Sequence, residues 1–175
     1  MIRFIADAML GRLAKWLRLM GYDTYYERDI TDDALLLVAR REGRTVLTRD
    51  TRLTERRAAR GQALLIASND PSEQLKQVMD HFSLSALDTP RCSLCNGPLV
   101  RVPDKRPLKD LVPEYVFLHH GRKGFFRCSG CGHLYWEGSH AGGIRSRTEK
   151  AAAGKRVKKG KNPAGAAEDE GDGKR

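Results

Sequence analysis

An α/β fold with a central parallel sheet is predicted for the first eighty-odd residues of this 175-residue chain. Three observations predict it. Short apolar runs alternate with helix-patterned segments in four strand-then-helix units; caps and glycines separate the units; and acids recur directly after the strand runs, where open parallel sheets bind ligands. The length allows one good core plus a small module and excludes a large multidomain enzyme.

The elements follow in order. Residues 2–6, "IRFIA", read as a strand that ends at Asp7. Residues 10–20 read as a helix, because Leu10, Leu13, Ala14, Leu17 and Met20 fall at helical spacing and Gly21 stops it. Residues 24–26 form a short second strand. Thr31 reads as the N-cap of a helix running to Glu42, with Asp32 and Asp33 in its first turn and Gly43 at its end. Residues 45–48 are the third strand, a basic helix spans about 51–60, Gly61 closes it, and residues 63–67 are the fourth strand. Asp70-Pro71-Ser72-Glu73 then supplies an N-cap, a proline at the first helical position and a capping-box glutamate for a helix to about Phe82. The pattern lapses over 83–91, which reads as a linker. The chain thus divides into an α/β domain, 1–83, a cysteine module, 91–140, and a basic tail, 141–175, whose Gly, Ala, Lys and Glu composition predicts disorder.

The formal charge is +10, from 32 Lys and Arg against 22 Asp and Glu, which favours a polyanionic partner, nucleic acid first. Residues 150–175 carry eight basic and four acidic side chains; the remaining 24 and 18 leave residues 1–149 at +6, basic in their own right. No stretch approaches the roughly 20 apolar residues that cross a bilayer, and the N-terminus lacks a charged-then-apolar secretory pattern. No membrane role and a cytoplasmic location are expected.

A carboxylate at the buried end of a core strand is costly unless something pairs with it. Asp7 follows the first strand, Asp29, Asp32 and Asp33 the second, Asp50 the third and Asp70 the fourth. Several such acids on one edge would repel one another unless a cation neutralises them, and Mg²⁺ or Mn²⁺ suits an all-oxygen site. Such an ion activates water and stabilises the charge that develops on a phosphoryl group. Each acid also has a plainer role: a turn residue for Asp7, a helix cap for Asp50, a dipole partner for one of Asp32 and Asp33, loop for Asp29. For Asp70 the cap is the better account. The signal lies in the constellation.

Arg12, Lys15 and Arg18 recur at a spacing of three on the first helix, largely off its apolar stripe, and Arg49, Arg52, Arg56, Arg57 and Arg60 follow the third strand. Both segments leave the acidic edge, so positive charge would flank a metal site, which suits a backbone phosphate bound beside it; a solvated surface is the plain alternative. Arg12, Lys15, Arg49 and Arg52 are the candidate substrate contacts.

"CSLCNG" and "CSGCGH" are paired Cys-x-x-Cys knuckles: Cys92, Cys95, Cys128 and Cys131. In a reducing compartment they read as a closed structural Zn²⁺ site, with redox disulfides or an iron–sulfur cluster as the competing readings. The 32 intervening residues call for a hairpin or loop. His119, His120, His133 and His140 are not needed as ligands. Of the surrounding aromatics, Tyr115, Phe117, Phe125, Phe126, Tyr135 and Trp136, most are expected to fill a small core, Phe125 and Tyr135 among them, while Trp136 stays open between core and base stacking; Arg122, Lys123 and Arg127 are interleaved with them. By analogy, such a ribbon is a docking piece for nucleic acid, protein or the ribosome.

"FIADAMLGRLAKWLRLMGYDT", "DDALLLVARREGRTVLTRDTRL" and the knuckles followed by "YWEGSH", over about residues 1–140, resemble the PIN-like ribonucleases named for the C-terminal domain of the nematode Mut-seven exonuclease. The resemblance implies a PIN-like three-layer α/β fold with a central parallel sheet and an appended zinc ribbon, and Mg²⁺- or Mn²⁺-dependent hydrolysis of RNA. It matches Asp7 to the family's first acid, Asp32 and Asp33 to the second, and Asp50 to its "TRD" acid. Many PIN nucleases carry a further acid just after that position, where Thr51 and Arg52 stand here; Asp70 is a candidate supplement. A non-catalytic RNA- or ribosome-associated adaptor is the alternative reading. A phosphoacceptor receiver is disfavoured, since no acidic pair ends the first strand and no lysine follows a late one.

Overall fold

A computed structural model describes residues 1–119 and 124–136. The predicted tail, His120, His140, Arg122, Lys123 and the end of "YWEGSH" lie outside the described residues. Four short strands, β1 (Phe4–Ala6), β2 (Thr24–Tyr26), β3 (Thr45–Thr48) and β4 (Ala63–Leu65), form a parallel sheet in the order β2-β1-β3-β4. Helices cover both faces because successive residues of a strand point to opposite sides. Phe4, Ala6 and Leu47 meet α1 (Gly11–Leu19) and α4 (Pro71–Phe82) in one buried cluster. Ile5 and Val46 meet α2 (Asp32–Glu42) and α3 (Thr51–Glu55) in another. The result is the expected three-layer α/β arrangement.

Several boundaries differ from the sequence expectation for local reasons. The first helix begins one residue later than its apolar pattern, after a tight turn over Ala8–Leu10. The Tyr26 hydroxyl donates to the Ala8 carbonyl at 3.0 Å, and a Cβ at Gly11 would lie 2.7 Å from the Tyr26 hydroxyl oxygen, so glycine lets the tyrosine ring lie against the start of the helix. The predicted helix over 51–60 breaks at Arg56, whose backbone is extended (ψ 134°), into α3 and a turn over Arg57–Ala59. On one continuous α-helix, Leu53 and Ala59 would point about 120° apart; the break lets both bury in the second cluster. The fourth strand stops at Leu65, where the side chain of Gln77 on α4 accepts the Ala67 N–H and donates to the Leu65 carbonyl. Asp70 caps α4 as expected, but its own N–H goes to Ser68 Oγ rather than to a capping-box Glu73.

A second, antiparallel sheet is formed by β5 (Leu99–Val102), β6 (Phe125–Cys128) and β7 (Leu134–Trp136) in that order. The interval expected to be a hairpin or loop runs through the antiparallel pair β5 and β6, and their long connection holds a tight turn over Arg106–Leu108 and α5 (Glu114–His119). Leu108, Val112 and Val116 bury with Phe125 in a third cluster, and Phe117 and Trp136 pack against it. Phe125 is core as predicted, and the open question over Trp136 closes towards the core.

Residues 83–90 carry no regular element, yet they are bound down. Leu84 and Leu87 pack on the first cluster, and the Tyr22 hydroxyl donates to the Ser85 carbonyl at 2.7 Å. Gly21, at φ +96°, lies so close to Leu87 that a Cβ there would approach it to 2.7 Å.

Leu17→Ala, at a fully buried position where α1 meets the sheet, should lower unfolding free energy by roughly 2–5 kcal/mol in a urea titration. A loss under about 1 kcal/mol would mean that α1 is not seated as described.

Candidate active site and cysteine centre

The order β2-β1-β3-β4 reverses direction at β1: the chain first steps to β2 on one side, then returns to β3 on the other. Open α/β sheets bind ligands beyond the carboxyl ends of their strands, in the crevice where that reversal occurs. Asp7 follows β1 and Asp50 lies two residues beyond β3, so both stand at that crevice. A single buried hydroxyl touches both residues: Thr48 Oγ1 donates to Asp7 Oδ2 at 2.7 Å and accepts the Asp50 N–H at 3.0 Å. Asp7 caps nothing with its side chain, although it sits at the start of the tight turn. Asp50 does cap α3, one oxygen accepting the Arg52 N–H at 2.8 Å, which leaves its other oxygen for a further partner. Thr48 had no signal in the sequence beyond its place at the end of a strand.

The remaining acids are engaged elsewhere. The Arg56 guanidinium forks across Asp33 at 2.7 Å and Asp32 at 3.0 Å, an exposed pairing that adds little stability. Asp70 accepts the Ser72 and Glu73 amides, and Asp29 is exposed in a turn. Asp32, Asp33 and Asp70 therefore do not join Asp7 and Asp50 in one ligand set. Among the described residues, the one group of three or more His, Cys, Asp or Glu side chains whose ligand atoms all lie within 4.8 Å is Cys92, Cys95, Cys128 and Cys131.

Of the candidate substrate contacts, Arg12, Lys15 and Arg52 are exposed. Arg49 is half-buried, and its Nε is sealed from solvent without a hydrogen-bond partner among the described residues. A buried orphan donor is costly, and a bound anion would satisfy it. Arg18 does not belong with this basic surface. Its side chain turns inward and is 4% exposed, donating to the Thr24, Ser93 and Leu94 carbonyls. It thereby joins the first sheet to the knuckle, at the end of β2 opposite the acids. Around it Asn96 accepts the Thr24 N–H and donates to Asp23, and Asp23 pairs with buried Arg44 at 2.7 Å. Burial alone would raise the Asp23 carboxyl, but the Arg44 and Asn96 hydrogen bonds hold it below its ordinary value.

The four cysteines are unpaired, and their sulfurs approach to 3.6 Å (Cys92 to Cys131) and 3.3 Å (Cys95 to Cys128). The knuckle turns aim backbone N–H groups at sulfur, Cys95 to Cys92 Sγ and both Gly130 and Cys131 to Cys128 Sγ. Gly97 is needed for room, since a Cβ there would lie 2.9 Å from Cys128 Sγ. Four soft donors at these separations could bind a metal such as zinc. Tyr135, expected in the core, instead sets its hydroxyl 3.1 Å from Cys92 Sγ and accepts the Ser93 N–H. Burial would raise the Cys92 thiol, yet the Cys95 amide and the Tyr135 hydroxyl draw it down to about 6. The His133 amide lowers Cys131, but Cys95, burial, Cys92 and Cys128 together push it up to about 12.

A family model described as the Mut7-C RNAse domain matches residues 2–148. No curated protein and no solved structure matches the chain.

Thr48→Val should cost roughly 1–3 kcal/mol of stability by denaturant unfolding, because one Asp7 oxygen and the Asp50 N–H each lose their partner. Thr48→Ser, which keeps the hydroxyl, should recover most of that loss.

Proposed function

The chain belongs to the Mut7-C RNAse domain family, and from that premise we propose that it is a metal-dependent ribonuclease, hydrolysing RNA phosphodiester bonds. The observation that carries this reading is the Thr48 hydroxyl shared by Asp7 and Asp50 at the sheet's reversal point. Asp7 and Asp50 would hold Mg²⁺ or Mn²⁺, whose preference for one or two carboxylates with retained waters suits two acids better than a full protein cage. The bound ion supplies an activated water and offsets charge at the phosphoryl oxygens. Thr48 fixes the Asp7 carboxylate and the Asp50 backbone. Asp32 or Asp33 would join them only with Arg56 displaced, since its guanidinium holds both carboxylates, and Arg12, Lys15, Arg49 and Arg52 take backbone phosphates. Cys92, Cys95, Cys128 and Cys131 hold a structural Zn²⁺, which closes the knuckles and does no chemistry on RNA.

A cytoplasmic location fits four cysteines held as thiols, and the ribbon is a surface for protein or ribosome docking. Among the described residues, no helix is long and apolar enough to cross a membrane.

The capping by Asp50 and Asp70 and the Arg56 pairing favour a second reading, in which the acids only shape helices and the protein is a non-catalytic RNA- or ribosome-binding adaptor. Asparagine serves as an N-cap about as well as aspartate, so Asp50→Asn separates charge from capping. Incubated with a mixed RNA pool, the wild type should cleave only with Mn²⁺ or Mg²⁺. Asp7→Asn and Asp50→Asn should stay folded by circular dichroism and lose cleavage by roughly 100-fold or more. Salt-sensitive RNA binding with no metal-dependent turnover in the wild type would establish the adaptor instead.

A further inference from the structure

We propose that Arg18 of α1 is the charge partner of the metal-loaded cysteine centre, so that the α/β part of the chain supplies an outer cation without which the four thiolates hold their ion weakly. The inference rests on the zinc reading above.

Three observations carry it. The first is that Arg18 is buried and yet forms no ion pair with any carboxylate of the described residues. Its nearest acid by sequence and fold, Asp23, is already taken by Arg44 and Asn96. A guanidinium cannot shed its proton, so a buried one is costly unless negative charge stands near it. The second is where its hydrogen bonds go. Arg18 Nη1 donates at 3.0 Å to the carbonyls of both Ser93 and Leu94, the two residues inside the Cys92-x-x-Cys95 knuckle. Tying those carbonyls to the guanidinium sets the turn in which the Cys95 amide faces Cys92 Sγ. The third is charge. A dication in four thiolates leaves two negative charges uncompensated, and among the described residues no His, Lys or Arg side chain is bonded to any of the four sulfurs. The buried guanidinium and the net-negative centre are each costly alone and compensate when adjacent.

Partners outside a metal's ligand set commonly change its affinity by roughly 10- to 100-fold. The test uses the full chain, with Zn²⁺ affinity measured by competition against a chromophoric chelator and coordination read from the visible spectrum of the Co²⁺ form. Arg18→Gln should weaken Zn²⁺ binding by about 10-fold or more while Co²⁺ still gives a tetrahedral thiolate spectrum. Arg18→Lys should recover part of the affinity, and Asn96→Ala, which loosens the junction but keeps the charge, should weaken it less than Arg18→Gln. Equal affinity in Arg18→Gln and wild type, or equal losses in Arg18→Gln and Asn96→Ala, would overturn the inference. Should Arg18→Gln fail to fold, the wild type decides alone. Zinc loading must then slow hydrogen exchange across residues 18–26, and unchanged exchange there rejects the coupling. A wild type without a four-thiolate Co²⁺ spectrum would instead sink the zinc reading, and this inference with it.

Discussion

The pairing of β1 with β3, sealed by the Thr48 hydroxyl, is the contact on which the rest of this molecule depends. The parallel register sets Ala6 beside Leu47, so the next residues of the two strands, Asp7 and Thr48, emerge together at the carboxyl end of the sheet. A hydroxyl has one proton to give and lone pairs to receive with. Here the proton goes to Asp7 and a lone pair takes the Asp50 N–H, so the loop after β3 is fixed to the loop after β1. Because the chain changes direction between these two strands, the same pairing opens the crevice in which the two acids stand. The cost of an acid at a buried strand end is thus met partly by a neutral donor before any ion is considered.

The two ends of the small sheet have separate tasks. Strands of three or four residues put them only about 10–13 Å apart. The carboxyl end carries Asp7, Thr48 and Asp50. The opposite end carries Asp23, Thr24 and Arg44, and it receives the first cysteine knuckle through Arg18 and Asn96. The second sheet is therefore no lid over the carboxylates.

The basic excess divides into three physical roles. Arg18 and Arg44 are buried and build the junction. Arg56 neutralises two acids of α2. Arg12, Lys15 and Arg52 stay in solvent, where a phosphate could reach them. Net charge describes the partner class fairly but overstates how much positive surface is free to meet it.

The α/β class, the four parallel strands, the caps at Thr31 and Asp70 and the cysteine knuckles were all legible in residue order, because each rests on contacts or φ/ψ preferences within a few residues. Asp7 and Asp50 could be named as site candidates for the same reason: strand ends are local. The sheet order was not legible, since it depends on which strand pairs with which. Nor was the role of Thr48, whose meaning comes from a residue 41 positions away. Arg18 falls at a surface-like spacing with Arg12 and Lys15, and Tyr135 looks like core; each was redirected by a partner that only chain folding brings near, the knuckle carbonyls for one and Cys92 for the other. Local sequence thus determined the elements and the chemistry available. Tertiary structure decided which charges are compensated, because burial and long-range neighbours, not spacing, set the energy of a charged group.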